Sequence, residues 1–579
     1  MRLKNNNKIK HLAARIYSQE TAEKICHAIR EIVAQYQFSQ QRTDFSEKDA
    51  ILITYADMVT KPGEKPLTTL HQFLKYHAAQ TINAVHILPF FPYSSDEGFS
   101  VIDYKTVDPS LGNWDDIQAL SQDFSLMFDL VANHTSVESA WFKGFIHGEE
   151  QYREYYITIP PESDIRSVFR PRTSPLLSPF DAVDGRKYVW TTFSADQVDL
   201  NYKEPKVLVE MIDILMFYAS QSARYIRLDA IAYIWKELGT ACIHLPPVHL
   251  IIQIMRLVLD LASPGVKLVT ETNVPHKDNI SYFGNGKDEA QLVYNFSLPP
   301  LTLHAFHSGN SEVFTRWAAT LKTPSDSTAF FNFLASHDGI GITPAHGLLP
   351  DDEIAAMAKC VDATGGFVSY KTNANGTESA YEFNINYFDA LNNPFGKGLP
   401  LELKVRRFVS AHAIMAALQG IPGIYFHSLF GSTSWFAGAK ESGMARTINR
   451  ERLGFEQMEV ELADESSLRS SIYTALRRLL ATRSQHRAFH PNAPQMVPMI
   501  NPSIITIIRR DPGKDEAILC LHNICAQETQ VALGAIPNLP QSAGTATRVI
   551  YHNAGRKHDL RNGEIILLPF ESVWVKITA

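Results

Sequence analysis

Cysteine is scarce in this sequence, basic residues do not cluster, and no long apolar run occurs. The five cysteines are Cys26, Cys242, Cys360, Cys520 and Cys525. An odd number without a framework excludes a disulfide-stapled secreted fold and fits reduced thiols in a cytoplasm. Cys520 and Cys525 are near enough to pair, but two separate strand thiols is the simpler reading. No Cys/His spacing resembles a zinc site. No run of about 18 apolar residues is present, which argues against a membrane span. The start, residues 1–10, is basic, but no apolar stretch of signal-peptide length follows it. Lys and Arg number 54 against 61 Asp and Glu, a net charge of −7. The lack of a basic stripe argues against nucleic acid as the main partner, whereas a small anionic substrate needs only a few local Arg. Internal repeats and low-complexity tracts are also lacking.

What is there is a chain of 579 residues, 45% hydrophobic and 20% charged, which is ordinary for a globular protein with a substantial core. Residues 1–48 read as a polar helical extension, with apolar positions recurring at helical spacing from Leu12 to Ile32. Eight short apolar runs follow, at 51–56, 84–90, 126–132, 224–230, 266–271, 291–296, 330–335 and 423–427. Each has the length of a buried strand and lacks clean alternation, as parallel strands covered on both faces do. Helix-like segments such as 69–80, 207–221 and 249–261 separate them. Strand and helix in alternation predict an α/β fold, a (β/α)8 TIM barrel, over 49–135 and 201–496. Two gaps are too long for simple connections. The first, 136–200, is rich in Pro, Tyr and Arg and reads as an inserted domain. The second, 339–402, is a long loop region with turn signals at Gly365-Gly366 and 373–376. From 497 to 579 the pattern changes to short strands, at 504–509, 517–522, 530–533, 547–551, 564–568 and 572–577. These predict a C-terminal antiparallel β domain.

In such a barrel the strand ends carry the chemistry. The third run ends Asp129-Leu-Val-Ala-Asn133-His134; the fourth contains Arg227-Leu-Asp229-Ala230; the fifth ends at Glu271; the seventh ends Ser336-His337-Asp338-Gly339. Arg227 and Asp229, two apart on a strand, share a face. Each motif alone has a blander reading: a structural ion pair for Arg-x-Asp, a solvated carboxylate for Glu271, a core histidine for His134. Four of them, in order, on the right four strands, outweigh those readings.

These motifs resemble the four signature regions of the α-amylase superfamily of glycoside hydrolases and transglycosylases, over about residues 50–579. The resemblance implies Asp229 as nucleophile, Glu271 as general acid/base and Asp338 as a third carboxylate favouring the transition state. It implies His134, Arg227 and His337 as glucose-binding residues. Arg227 is expected to keep Asp229 anionic, and two nearby aspartates to raise the pKa of Glu271, as a general acid requires. Residues 88–104, 227–240 and 336–341, together with Ala445–Arg450 and Arg170-Pro-Arg172, are similar to the sucrose phosphorylase subfamily. That likeness implies Asp96, Phe99 and Arg446 at the donor glucose, and Arg172 as the clamp for phosphate on the acceptor side.

Within the subfamily the chain most resembles the glucosylglycerate phosphorylase group, through the N-terminal segment and the stretches 189–202, 271–279 and 337–350. Asn273–Asn279 and Phe169 depart from sucrose phosphorylases. The implied reaction is 2-O-α-glucosylglycerate plus phosphate to α-D-glucose 1-phosphate plus D-glycerate, by a retaining double displacement. Glycerol, fructose and fructose 6-phosphate stay open as acceptors. A retaining glucosidase or transglucosidase, and a non-catalytic binding barrel, are the competing classes. A glycerate carboxylate calls for a cation, with Lys277, His346 and Lys371 as unranked candidates. No cofactor and no metal are expected, with Asn133 in a structural hydrogen-bond role. The partners implied are a small glucoside and inorganic phosphate, with a homodimer open and no nucleic acid or membrane.

Overall fold

A run with both faces buried needs no polar alternation, and the chain uses eight such runs as parallel strands. In the computed structural model they are β1 (Ile51–Thr54), β2 (Ala84–Ile87), β3 (Ser125–Val131), β4 (Ala223–Asp229), β5 (Lys267–Thr270), β6 (Leu292–Tyr294), β7 (Ala329–Phe333) and β8 (Ile421–Tyr425). Each pairs with its sequence neighbours, and β8 closes on β1, with Ile51 opposite Gly423. The result is a closed (β/α)8 barrel. Register matters at one place: Arg227 on β4 stands opposite both Asp129 on β3 and Val269 on β5. The structure describes all residues except 1, 40–41, 374–376, 394–397, 514–515, 538, 540–546, 557, 559, 561–562 and 579.

The barrel helices Pro66–His77, Pro205–Ser220 and Pro246–Ala262 each begin with proline in the first turn, where its missing N–H costs no hydrogen bond. Each begins two or three residues earlier than the apolar spacing alone indicates. The N-terminal extension is helical only in Arg2–Ala13 and Gln19–Gln35, not to residue 48. Beyond Tyr36, local side chains take the backbone groups a helix would use: Ser46 N–H donates to Asp49 at 2.7 Å and Lys48 N–H to the Ser46 hydroxyl at 3.2 Å. The second helix lays Ile25, Ile29 and Ile32 into the core, against the barrel's outer ring.

The segment 136–200 carries the helix Ala140–Ile146 and the hairpin Leu177–Ala182 with Gly185–Trp190. Its two ends are tied by pairing of His134–Ser136 with Gln197–Asp199. The segment 339–402 folds as a three-stranded antiparallel sheet, Ile340–Gly341, Glu378–Asn384 and Phe367–Thr372, with the helices Asp351–Ala363 and Tyr387–Asn392. In this sheet Ser369 faces Glu382 and Tyr370 faces Ala380, so Tyr381 is an extra, bulged residue. Of the turn signals, Gly365 has a φ of 83°, while 374–376 lie outside the described residues. All six expected C-terminal strands form, but in two sheets. Ile504–Arg510, Glu516–Asn523, Ser572–Thr578 and Thr547–His552 join Gln495–Met496 in one antiparallel sheet, and Thr529–Ala532 pairs separately with Glu564–Leu567. Val531 and Leu567 of the small sheet pack into one apolar cluster with Ile508 and Leu519 of the large one.

Candidate active site

Arg227 organises the site. Its guanidinium is buried and donates to Asp129 and, at 2.8 Å, to Asp229, and it comes within 3.9 Å of Glu271. Asp129 is held from below by His86, whose Nε2 is 2.6 Å away in a fully buried contact. The end of β4 turns sharply at Ala230, a left-handed residue with φ 48°. The Ala230 N–H donates to Glu271 Oε2 at 3.2 Å. Asp229 and Glu271 thus face one another across a guanidinium and a backbone N–H.

Burial pushes both of these carboxyls up from the usual range. Arg227 opposes the rise in each case, while the charge of Asp338 adds to it. Asp229 is therefore not kept low by Arg227, as its sequence neighbour led us to expect; desolvation outweighs the ion pair. Of the two, Glu271 is the better placed to carry a proton, because Arg227 donates directly to Asp229 and only approaches Glu271. Asp338 behaves oppositely. Burial raises it, but Arg446 at 2.7 Å and Arg450 at 3.6 Å together hold its carboxyl well below the usual range.

These groups line one pocket with Asp96, Phe99, His134, Arg172, His337 and Arg446. The structure thus brings together every catalytic, glucose-binding and phosphate-binding residue named from the sequence except Arg227, which lies beneath and donates to Asp229. Phe99 stacks on His337, centroids 4.9 Å apart and 4° from parallel. Burial lowers the pKa of His134 and His337, so both imidazoles are neutral. His134 Nε2–H donates to the Phe99 carbonyl at 2.9 Å, and its Nδ1 accepts from Asn133 at 3.2 Å. Asn133 Oδ1 accepts from the Lys236 ammonium at 2.6 Å, and its amide donates to Asp199 at 3.1 Å. The oxygens of Asn133 and Asp199 therefore already face a cation of the chain itself.

Of the two loop arginines, Arg170 turns to the Thr173 and Ser174 carbonyls. Arg172 faces the pocket, its guanidinium over the rings of Phe193 (5.8 Å) and Tyr381 (5.3 Å). Among the described residues it has no carboxylate partner. The three cations considered for a glycerate carboxylate do not line this pocket. Lys277 is exposed, His346 sits near Asp351, and Lys371 lies over Phe169, 5.3 Å from the ring centroid. Their segments carry them outward, and Arg172 is left as the pocket's unpaired cation.

Sequence reasoning missed Glu382, Tyr381, Gln197, Tyr233 and Phe193, all of which line the pocket. Glu382 is buried and grips Arg446 at 3.0 and 2.7 Å. The bulge explains how the adjacent residues Tyr381 and Glu382 both reach the same pocket, which regular pleating forbids. A charged residue beside the alternating apolar positions Phe383, Ile385 and Tyr387 was the available signal.

Residues 61–344 match the alpha-amylase catalytic domain. The chain is 48% identical over 505 residues to a glucosylglycerate phosphorylase of Allomeiothermus silvanus, covering 87% of this chain and 90% of that one. It is 42% identical to a glucosylglycerate phosphorylase of Escherichia coli, covering 93% of each. Among solved structures, the sucrose 6F-phosphate phosphorylase of Thermoanaerobacter thermosaccharolyticum superposes with a TM-score of 0.71 at 24% identity, over 82% of this chain and 94% of that one, a likeness of fold. The chain belongs to the glucosylglycerate phosphorylase family, built on the alpha-amylase catalytic domain.

Proposed function

We propose that this protein is a retaining glycoside phosphorylase that converts 2-O-α-glucosylglycerate and phosphate to α-D-glucose 1-phosphate and D-glycerate. Arg172 carries the reading: a guanidinium seated on two rings, without a carboxylate partner among the described residues, at a pocket that also holds Asp229, Glu271 and Asp338. Arg446 and Arg227 already have carboxylate partners, so an incoming anion is received at Arg172. The names of the relatives supply the glucosylglycerate.

In the first half, Asp229 attacks the anomeric carbon while Glu271 gives its proton to the glycosidic oxygen. That C–O bond breaks, glycerate leaves, and the glucosyl group is held as an ester of Asp229. Asp338, ionised between Arg446 and Arg450, faces the positive charge that develops on the sugar. In the second half, a phosphate oxygen attacks the same carbon from the vacated side. Glu271 takes the phosphate proton, the ester bond breaks, and two inversions restore the α configuration. Glycerate and phosphate occupy the acceptor side in turn, so one unpaired guanidinium serves both. The inserts 136–200 and 339–402 form the acceptor wall, through Arg172 and Phe193 on one and Tyr381 on the other. Asp96, Phe99, His134, His337 and Arg446 hold the donor glucose.

The test supplies glucose 1-phosphate with D-glycerate, glycerol, fructose or fructose 6-phosphate and follows phosphate release. Release fastest with glycerate is expected. Release with another acceptor keeps the mechanism and moves the acceptor. Glucose formation independent of any acceptor means a hydrolase.

A further inference from the structure

The loop after β2 carries a backbone that its residues do not choose for themselves. Asp96 has φ 51°, Glu97 has φ 46° and ψ 51°, and Gly98 has φ 107°. Two consecutive non-glycine residues in the left-handed region are held there only when the surroundings over-determine them. Gly98 is fixed by space as well as by φ: a Cβ there would lie 2.6 Å from the Pro89 carbonyl oxygen. What holds the turn comes from the segment that follows β8, the strand that closes the barrel beside β1. Arg452 donates to Glu97 at 3.0 Å and pairs with Asp57 at 2.8 Å, its guanidinium 4.8 Å from the Tyr55 ring centroid. Arg450, fully buried, lies 3.8 Å from Glu97 and donates to the His337 carbonyl at 2.8 Å. The next two residues, Leu453 and Gly454, pair with Val59 and Thr60 as a short parallel ladder, which fixes the strap that presents both arginines.

Asp96, one residue before Glu97, lines the pocket and accepts from Gln197 at 3.2 Å. The serines before it donate to Asp196, Ser94 at 2.6 Å and Ser95 closer still. The turn is thus pinned on one side by hydroxyls and on the other by Glu97. We propose that Glu97, latched by Arg452 and Arg450 against Tyr55 and Asp57, is a positioning residue that holds Asp96 toward the sugar of the donor and so sets donor affinity. This rests on the donor role given to Asp96 above. Released from the arginines, the two residues relax toward right-handed or extended backbone, and the Asp96 carboxylate leaves the pocket wall.

The experiment measures KM and kcat for glucose 1-phosphate and, separately, KM for the acceptor, in wild type, Glu97→Gln, Arg452→Lys and the double variant, with a thermal melt of each. Glu97→Gln is expected to raise the glucose 1-phosphate KM about ten-fold while leaving acceptor KM and kcat within about two-fold. Arg452→Lys keeps a charge but cannot span Asp57 and Glu97 together; its KM falls between, and the double variant is no worse than Glu97→Gln alone. A folded Glu97→Gln whose donor KM stays within about two-fold of wild type, or whose only change is a lower Tm, overturns the latch. If Glu97→Gln fails to fold, Arg452→Lys decides on the same criterion. A wild-type protein with no phosphate release from glucose 1-phosphate overturns the phosphorylase reading instead, and is recognised before any variant is compared.

Discussion

At the scale of the residue, the buried pair Asp229 and Glu271 sets both rate and stability. Burial raises Glu271 from its ordinary value of 4.5. The folded state therefore favours its protonated form. That preference adds stability below about 4.5, and the contribution is lost as pH rises through the folded value. A glutamine at 271 never ionises. Glu271→Gln is accordingly expected to melt higher than wild type at pH 7, by an amount on the order of 1 kcal/mol, with the gain vanishing near pH 4. Its turnover should fall about 10²–10⁴-fold. Melting curves at the two pH values check the first statement, and phosphate release the second. Asp229→Asn should form no covalent intermediate, and mass spectrometry of the protein mixed with glucose 1-phosphate reads that directly. The three carboxylates were legible in the sequence because each closes a strand of a barrel whose strand ends point to one rim. The protonation of the pair was only half legible: the neighbour Arg227 is visible in sequence, whereas desolvation, the larger effect, exists only once β3, β4 and β5 surround it.

At the scale of the element, the insert sheet with its bulge at Tyr381 is the part that sequence conceals. The eight barrel strands announce themselves as short apolar runs between helical stretches, because burial on both faces leaves no place for polar residues. A bulge has no such signature. It shifts the pleat by one, so that the period of two that would assign Tyr381 and Glu382 to opposite faces fails at the one position where it matters. Glu382 then meets Arg446, itself 2.7 Å from Asp338. Removing one partner of a buried ion pair leaves the other uncompensated. Glu382→Ala should cost about 3–5 kcal/mol, measured by urea unfolding. Arg446 would then keep Asp338 as its remaining carboxylate partner among the described residues. The end of the N-terminal helix was misjudged for a related reason: residues 43–49 are polar enough for an exposed helix, yet their side chains satisfy local backbone groups instead.

At the scale of the whole molecule, the N-terminal helices serve as an extra layer on the barrel. Ile25 and Ile29 are almost fully buried in the common core, on a helix that packs against Pro205–Ser220. Ile29→Ala should cost about 2–5 kcal/mol of stability while leaving kcat/KM at 25 °C unchanged, since neither helix reaches the catalytic pocket. Equilibrium unfolding and steady-state rates on one preparation check both halves. The barrel and the C-terminal sheets were legible because periodicity reports burial; the layer added by the N-terminal helices was not, because an amphipathic helix does not say what it covers. The pocket itself is divided in its construction. One side is tied into the barrel by buried polar and charged groups that lock each other, from His86 through Asp129 and Arg227 to Asp229. The other side hangs on two excursions of the chain, one bringing Arg172 and the other Tyr381. A lineage can therefore rewrite the excursions, trading one leaving group for another, while the machinery that grasps and ruptures the glucosyl bond is inherited intact.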